Sequence, residues 1–281
     1  RAKRTRLLSA KQLDHLSPTI PTFLAKPFHV VFPSDSDPEY GPYNKPLSIQ
    51  QWLEAGVSRD PIVVVADPDI CWLRDFNVTV SPGRALGSSA WFEFSQDDPS
   101  MFDQIADFFC PSCDRLDAVA VPIAIHRDDL QRIAPKWLEF TRAIRQAILD
   151  KTIAKPWREA LWWTAEMFGY IFAAGSSQVS HDVWPLQAIP QKPLRTAAAA
   201  QQALAAPTMH FHAEVHVDGY MGDGVWSKHQ PHAATVFPYP LPKTMDPHQE
   251  IKRRFFERMF AAWRHFHNAS DAEPKGHEPP S

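Results

Sequence analysis

The sharpest chemical pattern in the chain is Asp67-Pro68-Asp69, which follows a short run, Ile62-Val63-Val64-Val65-Ala66. A β-branched run of this length is of the kind buried on both faces of a parallel sheet. In open α/β sheets, ligands sit beyond the carboxyl ends of the strands. Two carboxylates one residue apart at such a place can share a hard divalent cation, and the cation can bind diphosphate oxygens. The plain alternative is a proline-containing turn with solvated acids. A second pattern is His210, His212, Glu214, His216 and Asp218, alternating with Met209, Phe211, Ala213, Val215 and Val217. Period-two alternation puts every polar residue on one face of a strand, and histidines at i and i+2 there suit a metal. Only one or two of them could be ligands, because four in a line are too extended to close round one ion. The alternative is a half-exposed strand with a wet histidine face.

A third signal is Glu166, inside Leu161-Trp162-Trp163-Thr164-Ala165-Glu166-Met167-Phe168-Gly169-Tyr170-Ile171-Phe172. This helical stretch is apolar nearly all round and so reads as buried. An unpaired charge there is too costly, so the carboxylate must be paired, protonated or turned to a polar site. A functional role and a structural salt bridge fit equally. Lys45, in Tyr43-Asn44-Lys45-Pro46, and Lys228, in Gly224-Val225-Trp226-Ser227-Lys228, could each meet a phosphate as a point charge or lie on the surface.

The elements that must position these groups alternate between helix and strand. Ile49, Trp52 and Leu53 repeat at helical spacing over 47–56, after Pro46. A second strand reads over 119–125, interrupted by Pro122. Asp128 and Asp129 are N-cap candidates for a helix that Pro135 breaks or kinks before it resumes to about 150. Another helix covers 158–174, with Gly175 where a C-cap belongs. The alanine-rich stretch 196–206 reads as a short surface helix or a tolerated insertion. A last amphipathic helix covers 246–268, and the polar tail 269–281 reads as disordered. The order predicts an α/β fold.

Composition bounds the function. The chain has 281 residues, 44% hydrophobic and 22% charged, which excludes collagenous, coiled-coil and wholly disordered classes. A net charge of -3 supplies no overall basic field for nucleic acid, and the basic start (Arg1, Lys3, Arg4, Arg6, Lys11) reads as a solvated chain end. No apolar run reaches the roughly 18 residues of a membrane span, so any anchor or targeting segment is expected outside this sequence. Pro 27 against Gly 10 points to stiff connections. Cys110 and Cys113 form one Cys-x-x-Cys with no second pair for a zinc site, which leaves a local disulfide or two thiols. Sequons at Asn77 and Asn268 are compatible with a secretory lumen.

Taken in order, Arg6-Leu7-Leu8, Ile20-Pro21-Thr22-Phe23, Asn44-Lys45-Pro46 with Gln51-Trp52-Leu53, Asp67-Pro68-Asp69, Ile133-Ala134-Pro135-Lys136-Trp137, Glu166-Met167-Phe168-Gly169-Tyr170 and Met209-His210-Phe211 form a series. It resembles the plant and algal hydroxyproline O-arabinosyltransferases, and the related peptidyl serine α-galactosyltransferases share much of it. The resemblance runs from about residue 4 to 242. It implies a GT-A-like, Rossmann-type nucleotide-sugar transferase domain over 1–245, lacking its first strand, in the Golgi lumen. Such an enzyme would move L-arabinofuranose from a UDP-sugar to peptidyl hydroxyproline with Mn²⁺ or another divalent cation, keeping the anomeric configuration. Carried over, Asp67, Asp69 and His210 would hold the metal. Asn44, Lys45, Asp67 and Lys228 would bind the donor. Glu166 and Asp69 would be catalytic, and Trp163 and Tyr170 would meet the peptide acceptor, with Trp52 and Trp226 as further stacking candidates. Asp67 stands where the arabinosyltransferases tend to carry Glu, as in the galactosyltransferase relatives, so transfer of galactose to serine stays open. Two readings from other classes also stay open. One is a metal hydrolase or oxygenase on His210, His212 and Glu214; the other is a relative that binds glycoprotein without turnover.

Overall fold

The computed structural model describes residues 5–10, 12, 21–75, 78–90, 100–188, 197–210, 214–216, 225–227, 253–254, 256–258 and 261. Its elements are mixed α/β, and the chain divides into two compact units. Unit 1 comprises Arg1–Val65 and Val78–Val183; unit 2 comprises Ala66–Asn77 and Trp184–Ser281.

Unit 1 opens with β1 (Arg6–Ser9) and β2 (Thr22–Ala25), which pair in parallel, followed by the short α1 (Phe28–Val31) and by α2 (Asn44–Glu54). Asn44 ties these pieces together. Its Oδ1 accepts from Ser9 Oγ and from the Phe28 amide, both at 2.8 Å, and its Nδ2 donates to the Gly41 carbonyl. The helix predicted over 47–56 is therefore present with an earlier start, and Ile49, Trp52 and Leu53 lie on its buried side.

The main sheet of unit 1 has the order β3-β6-β5-β7, from β3 (Ile62–Val65), β5 (Arg84–Ser89), β6 (Val119–His126) and β7 (Ser180–Trp184). β6 is antiparallel to both β3 and β5. The run at 62–66 is thus not a doubly covered parallel strand. Among the described residues β3 pairs only with β6, and Val64 is 40% exposed. Unbroken apolar sequence marks burial on both faces only when both faces are covered, and here one is open. The buried strand is β6, whose residues up to Ile125 are all buried. Pro122 does not interrupt it. The register with β5 shifts between Gly87 and Ser88, opposite the proline, and a bulge is where a central sheet tolerates a missing N–H.

Helix α3 (Ser100–Phe109) precedes β6, and α4 (Arg127–Leu149) and α5 (Lys155–Ser176) follow it and pack on each other. α4 continues through Pro135 as one element, and its cap is His126. The imidazole Nδ1 accepts from the Asp128 amide, while Asp129 reaches across to accept from the Gly83 amide at 2.7 Å. The acids predicted as caps therefore sit in the first turn, where carboxylates favour the helix dipole. Buried positions on α4 recur at three and four residues, from Leu130 through Ile133, Trp137, Thr141 and Ile144 to Ile148. The two helices pack tightly at Gly169. A Cβ there would lie 2.2 Å from Thr141 Oγ1, so no larger residue fits without separating them. Gly175 is not a cap. It lies in the last turn of α5, where a Cβ would meet Leu116 and the Arg115 carbonyl, and the C-cap is Ser177. Cys110 and Cys113 form a disulfide after α3.

Unit 2 holds a three-stranded sheet of order β4-β9-β8, from β4 (Ile70–Trp72), β8 (Gln187–Ala188) and β9 (Thr208–His210). β9 is antiparallel to β4 and parallel to β8, and the parallel connection carries α6 (Ala197–Ala205), the predicted alanine-rich helix. β10 (Glu214–His216) pairs instead with β11 (Val225–Ser227). The strand expected over 209–218 is therefore two strands in two sheets, with 211–213 outside the described residues. Of the helix expected over 246–268, residues 253–254, 256–258 and 261 are described and helical; the tail 269–281 lies outside. No helix among the described residues is long and apolar enough to cross a membrane.

Candidate functional site

The turn after β3 and the end of β9 meet in unit 2. β4 begins at Ile70, and its antiparallel register puts Ile70 opposite His210. Asp69 is the residue before Ile70, so strand pairing alone brings the acid beside the imidazole across 141 positions (210 less 69). A turn, closed by the Ile70 amide donating to the Asp67 carbonyl at 3.1 Å, folds Asp67 towards the same place. His210 Nε2 lies 3.2 Å from Asp69 Oδ1 and 3.8 Å from Asp67 Oδ2. One donor atom from each of the three residues lies within 4.8 Å of the others. The imidazole is buried and both carboxylates are partly exposed, so the cluster has a closed back and an open side.

Two carboxylate oxygens and one imidazole nitrogen are a donor set for a divalent ion of intermediate hardness. Such ions accept carboxylate and imidazole together and keep positions for further oxygen ligands. Without a cation, two like charges at this separation repel, on the order of 3 kcal/mol at an effective dielectric of about 20. The chemistry of the three groups therefore fits a bound divalent cation.

Sequence reasoning missed the other side of His210. Its Nδ1 is 2.9 Å from Gln187 Oε1, on the neighbouring strand β8. Nothing in Leu186-Gln187-Ala188 signals this; only strand pairing does.

Glu166 and Lys45 also meet, in unit 1. Lys45 Nζ lies 3.0 Å from Glu166 Oε2, with the carboxylate buried and the ammonium about a quarter exposed. The requirement that a buried acid on α5 find a partner is satisfied by another of the predicted residues. The backbone around Glu166 is held as well. Trp137 Nε1 donates to its carbonyl at 2.8 Å, and the Tyr40 hydroxyl bridges the Glu166 amide and the Trp163 carbonyl. Burial, and next the Glu166 charge, push the Tyr40 hydroxyl well above its ordinary pKa, so it stays a neutral donor. Arg145 stacks between the rings of Tyr40 and Trp162 while its Nε donates to Asp37 at 2.7 Å, which fixes this end of α5.

The remaining predicted residues separate. Trp163 is 72% exposed and available to a partner. Tyr170 is not: it is buried, its ring is edge-on to Trp137, and its hydroxyl bonds His181 Nε2 at 2.8 Å. The expectation that Tyr170 meets the acceptor fails because the apolar residues around it close over the ring. Asn44 is likewise engaged on both its Oδ1 and Nδ2 by its own fold rather than turned to a donor. Trp52 is buried in α2, with its ring under the Arg127 guanidinium. His181 is held near neutral form by burial, its pKa lowered to about 4, with Asp117 opposing the shift. Lys228, His212, Asn77 and Asn268 lie outside the described residues, as do the side chains of Glu214 and Trp226.

A family model described as the hydroxyproline O-arabinosyltransferase family N-terminal domain matches residues 2–183, more than half of the chain. The chain belongs to this family. The match takes in Lys45, Asp67, Asp69 and Glu166 and ends before Gln187 and His210. Among curated relatives, hydroxyproline O-arabinosyltransferase 3 of Arabidopsis thaliana is 28% identical over 63% of this chain and 47% of its own length. Hydroxyproline O-arabinosyltransferase RDN2 of Medicago truncatula is 27% identical over 63% and 46%. A peptidyl serine alpha-galactosyltransferase of Chlamydomonas reinhardtii is 29% identical over 52% of this chain and 21% of its own length. The aligned part is about half the length of the arabinosyltransferase relatives. No solved structure matches.

Proposed function

We propose that this family member is a metal-dependent glycosyltransferase of GT-A-like build that moves L-arabinofuranose from a UDP-sugar to peptidyl hydroxyproline, with the anomeric configuration kept. The observation that carries the reading is the convergence of Asp67, Asp69 and His210 Nε2 within 4.8 Å. Two acids and one imidazole offer the kind of donor set that a cation bridging to a diphosphate needs. Family membership supplies the transferase context, and the names of the relatives supply the sugar and the acceptor.

Bound there, a divalent cation would neutralise charge that builds on the diphosphate as UDP leaves. Asp67 and Asp69 would hold it by charge, and the buried His210 would give the third donor. Lys228 is proposed as a further diphosphate contact, and Lys45 is proposed to act through Glu166. Glu166 is proposed to serve at the sugar or the acceptor, where a carboxylate can stabilise positive charge on the ring. Trp163 is proposed to stack on a proline-rich acceptor in polyproline II conformation, since an exposed indole offers a flat apolar face. The Golgi lumen is the proposed compartment, supported by the Cys110–Cys113 disulfide, which needs an oxidising surrounding.

A second reading is transfer of α-galactose to peptidyl serine. It is favoured by Asp, rather than Glu, at position 67 and by the algal serine galactosyltransferase relative. One experiment decides between them. The intact protein is incubated with Mn²⁺, UDP-arabinofuranose or UDP-galactose, and peptides bearing hydroxyproline or serine, and the products go to mass spectrometry. A pentose increment on hydroxyproline is expected; a hexose on serine selects the second reading. No increment with any pair, under conditions where UDP binds, overturns both.

A further inference from the structure

His210 has two ring nitrogens in two different surroundings. Nε2 faces Asp69 Oδ1 at 3.2 Å and Asp67 Oδ2 at 3.8 Å, whereas Nδ1 lies 2.9 Å from Gln187 Oε1. An amide oxygen carries no hydrogen, so the bond to Gln187 requires the proton on Nδ1. In the neutral ring this leaves the Nε2 lone pair directed at two carboxylates. A lone pair so placed could serve a cation held by the same two carboxylates.

We propose that Gln187 is a positioning residue: it fixes His210 in the tautomer and ring orientation that make Nε2 a metal donor. The inference rests on the proposed cation site at Asp67 and Asp69. The opposite tautomer, with its proton on Nε2, would donate to Asp69 and occupy the electron pair and the space that the cation needs. A charge-assisted bond of that kind competes directly with metal binding. Partners on the far nitrogen of a metal-binding histidine act in this way generally.

The sheet is built to hold this contact. Gln187 on β8 is the register partner of Thr208 on β9, and His210 lies two residues beyond Thr208, so Gln187 and His210 share one face on adjacent strands. Immediately before Gln187, the Leu186 carbonyl accepts from both the amide and the hydroxyl of Thr208, at 3.1 and 2.7 Å. Thr208 is fully buried. The start of β8 is thus fastened to β9 one residue from the amide that meets the imidazole.

The test is Mn²⁺ binding by calorimetry to the wild-type protein, Gln187→Leu and Gln187→Glu. The leucine variant keeps the bulk and loses the acceptor, and its Kd should rise roughly tenfold to a hundredfold. The glutamate variant still accepts the Nδ1 proton and should bind at least as tightly as wild type. A general structural role would not be rescued in this way. A measurement that needs no Gln187 variant is the ¹⁵N spectrum of the Mg²⁺-loaded protein, with His210 assigned by its loss in His210→Gln. Nδ1 is expected in the protonated range and Nε2 in the unprotonated one. Wild-type binding with unchanged affinity in Gln187→Leu, or an unprotonated Nδ1, overturns the assignment alone. Absence of Mn²⁺ binding by the wild type overturns the cation site and this assignment with it.

Discussion

In unit 2, two carboxylates share with one imidazole a space no wider than 4.8 Å; in unit 1, one carboxylate faces one ammonium at 3.0 Å. The charges of Glu166 and Lys45 cancel. Asp67 and Asp69 instead bring two like charges to one imidazole. A balanced buried pair can be wholly structural, because each charge is compensated by the fold. Two acids beside one imidazole form a donor set that suits a divalent cation. The proposed cation site is therefore in unit 2. The balance makes Glu166 the residue whose role most needs experiment.

The largest expected effect is at the cluster of Asp67, Asp69 and His210. Asp69→Ala should lower manganese-dependent transfer by at least about a thousandfold, since a metal's charge stabilisation is worth several kcal/mol. The fold should remain nearly intact by circular dichroism, because the variant relieves repulsion. Wild-type-like transfer by Asp69→Ala with Mn²⁺ present refutes the metal assignment.

The balanced pair should behave differently. Glu166→Gln is expected to reduce turnover roughly tenfold to a hundredfold. It should cost about 1–2 kcal/mol of stability, discounted because Lys45 is partly exposed. Adding Lys45→Met should recover the stability and not the turnover. Unchanged turnover in Glu166→Gln would make the pair structural only.

A buried group with no charged form to compensate sharpens the contrast. The His181 pKa is lowered to about 4 by burial, against about 6.5 in an unfolded chain. Between these values the unfolded state binds the proton and the folded state does not. Stability is therefore full above about pH 6.5 and falls as pH drops towards 4, by on the order of 3 kcal/mol. Denaturant melts of wild type and His181→Asn across this window should show the slope in the first and a flatter line in the second; equal slopes contradict it.

The smallest effect belongs to Trp163. Because the side chain is 72% exposed, Trp163→Ala should change stability by no more than about 0.5 kcal/mol. It should raise the KM for the peptide severalfold, in line with about 1 kcal/mol for one aromatic contact. An unchanged KM removes Trp163 from the acceptor site.

The parts of this account that were legible in the sequence are local ones. Asp67 and Asp69 follow a strand, His210 ends one, and Glu166 lies on an apolar helix, so each could be named from its neighbours. What could not be named was which of them meet. His210 joins the acids through the register of β4 and β9, two strands of three residues each, too short to signal pairing by pattern. Gln187 has no signal, because only strand pairing brings it beside His210. Local rules also misplaced features that tertiary packing decided. Among the described residues apolar β3 is an edge strand, Gly175 serves close packing, and Tyr170 lies in the core. The alternation over 209–218 is real, but its two halves belong to different sheets.

The most direct test of the central claim is electron paramagnetic resonance of Mn²⁺ titrated into the intact protein with and without UDP. One bound ion is expected, held more tightly when UDP is present and lost in the Asp67→Ala/Asp69→Ala double variant. Free-ion signal throughout, or binding that survives in the double variant, would contradict it.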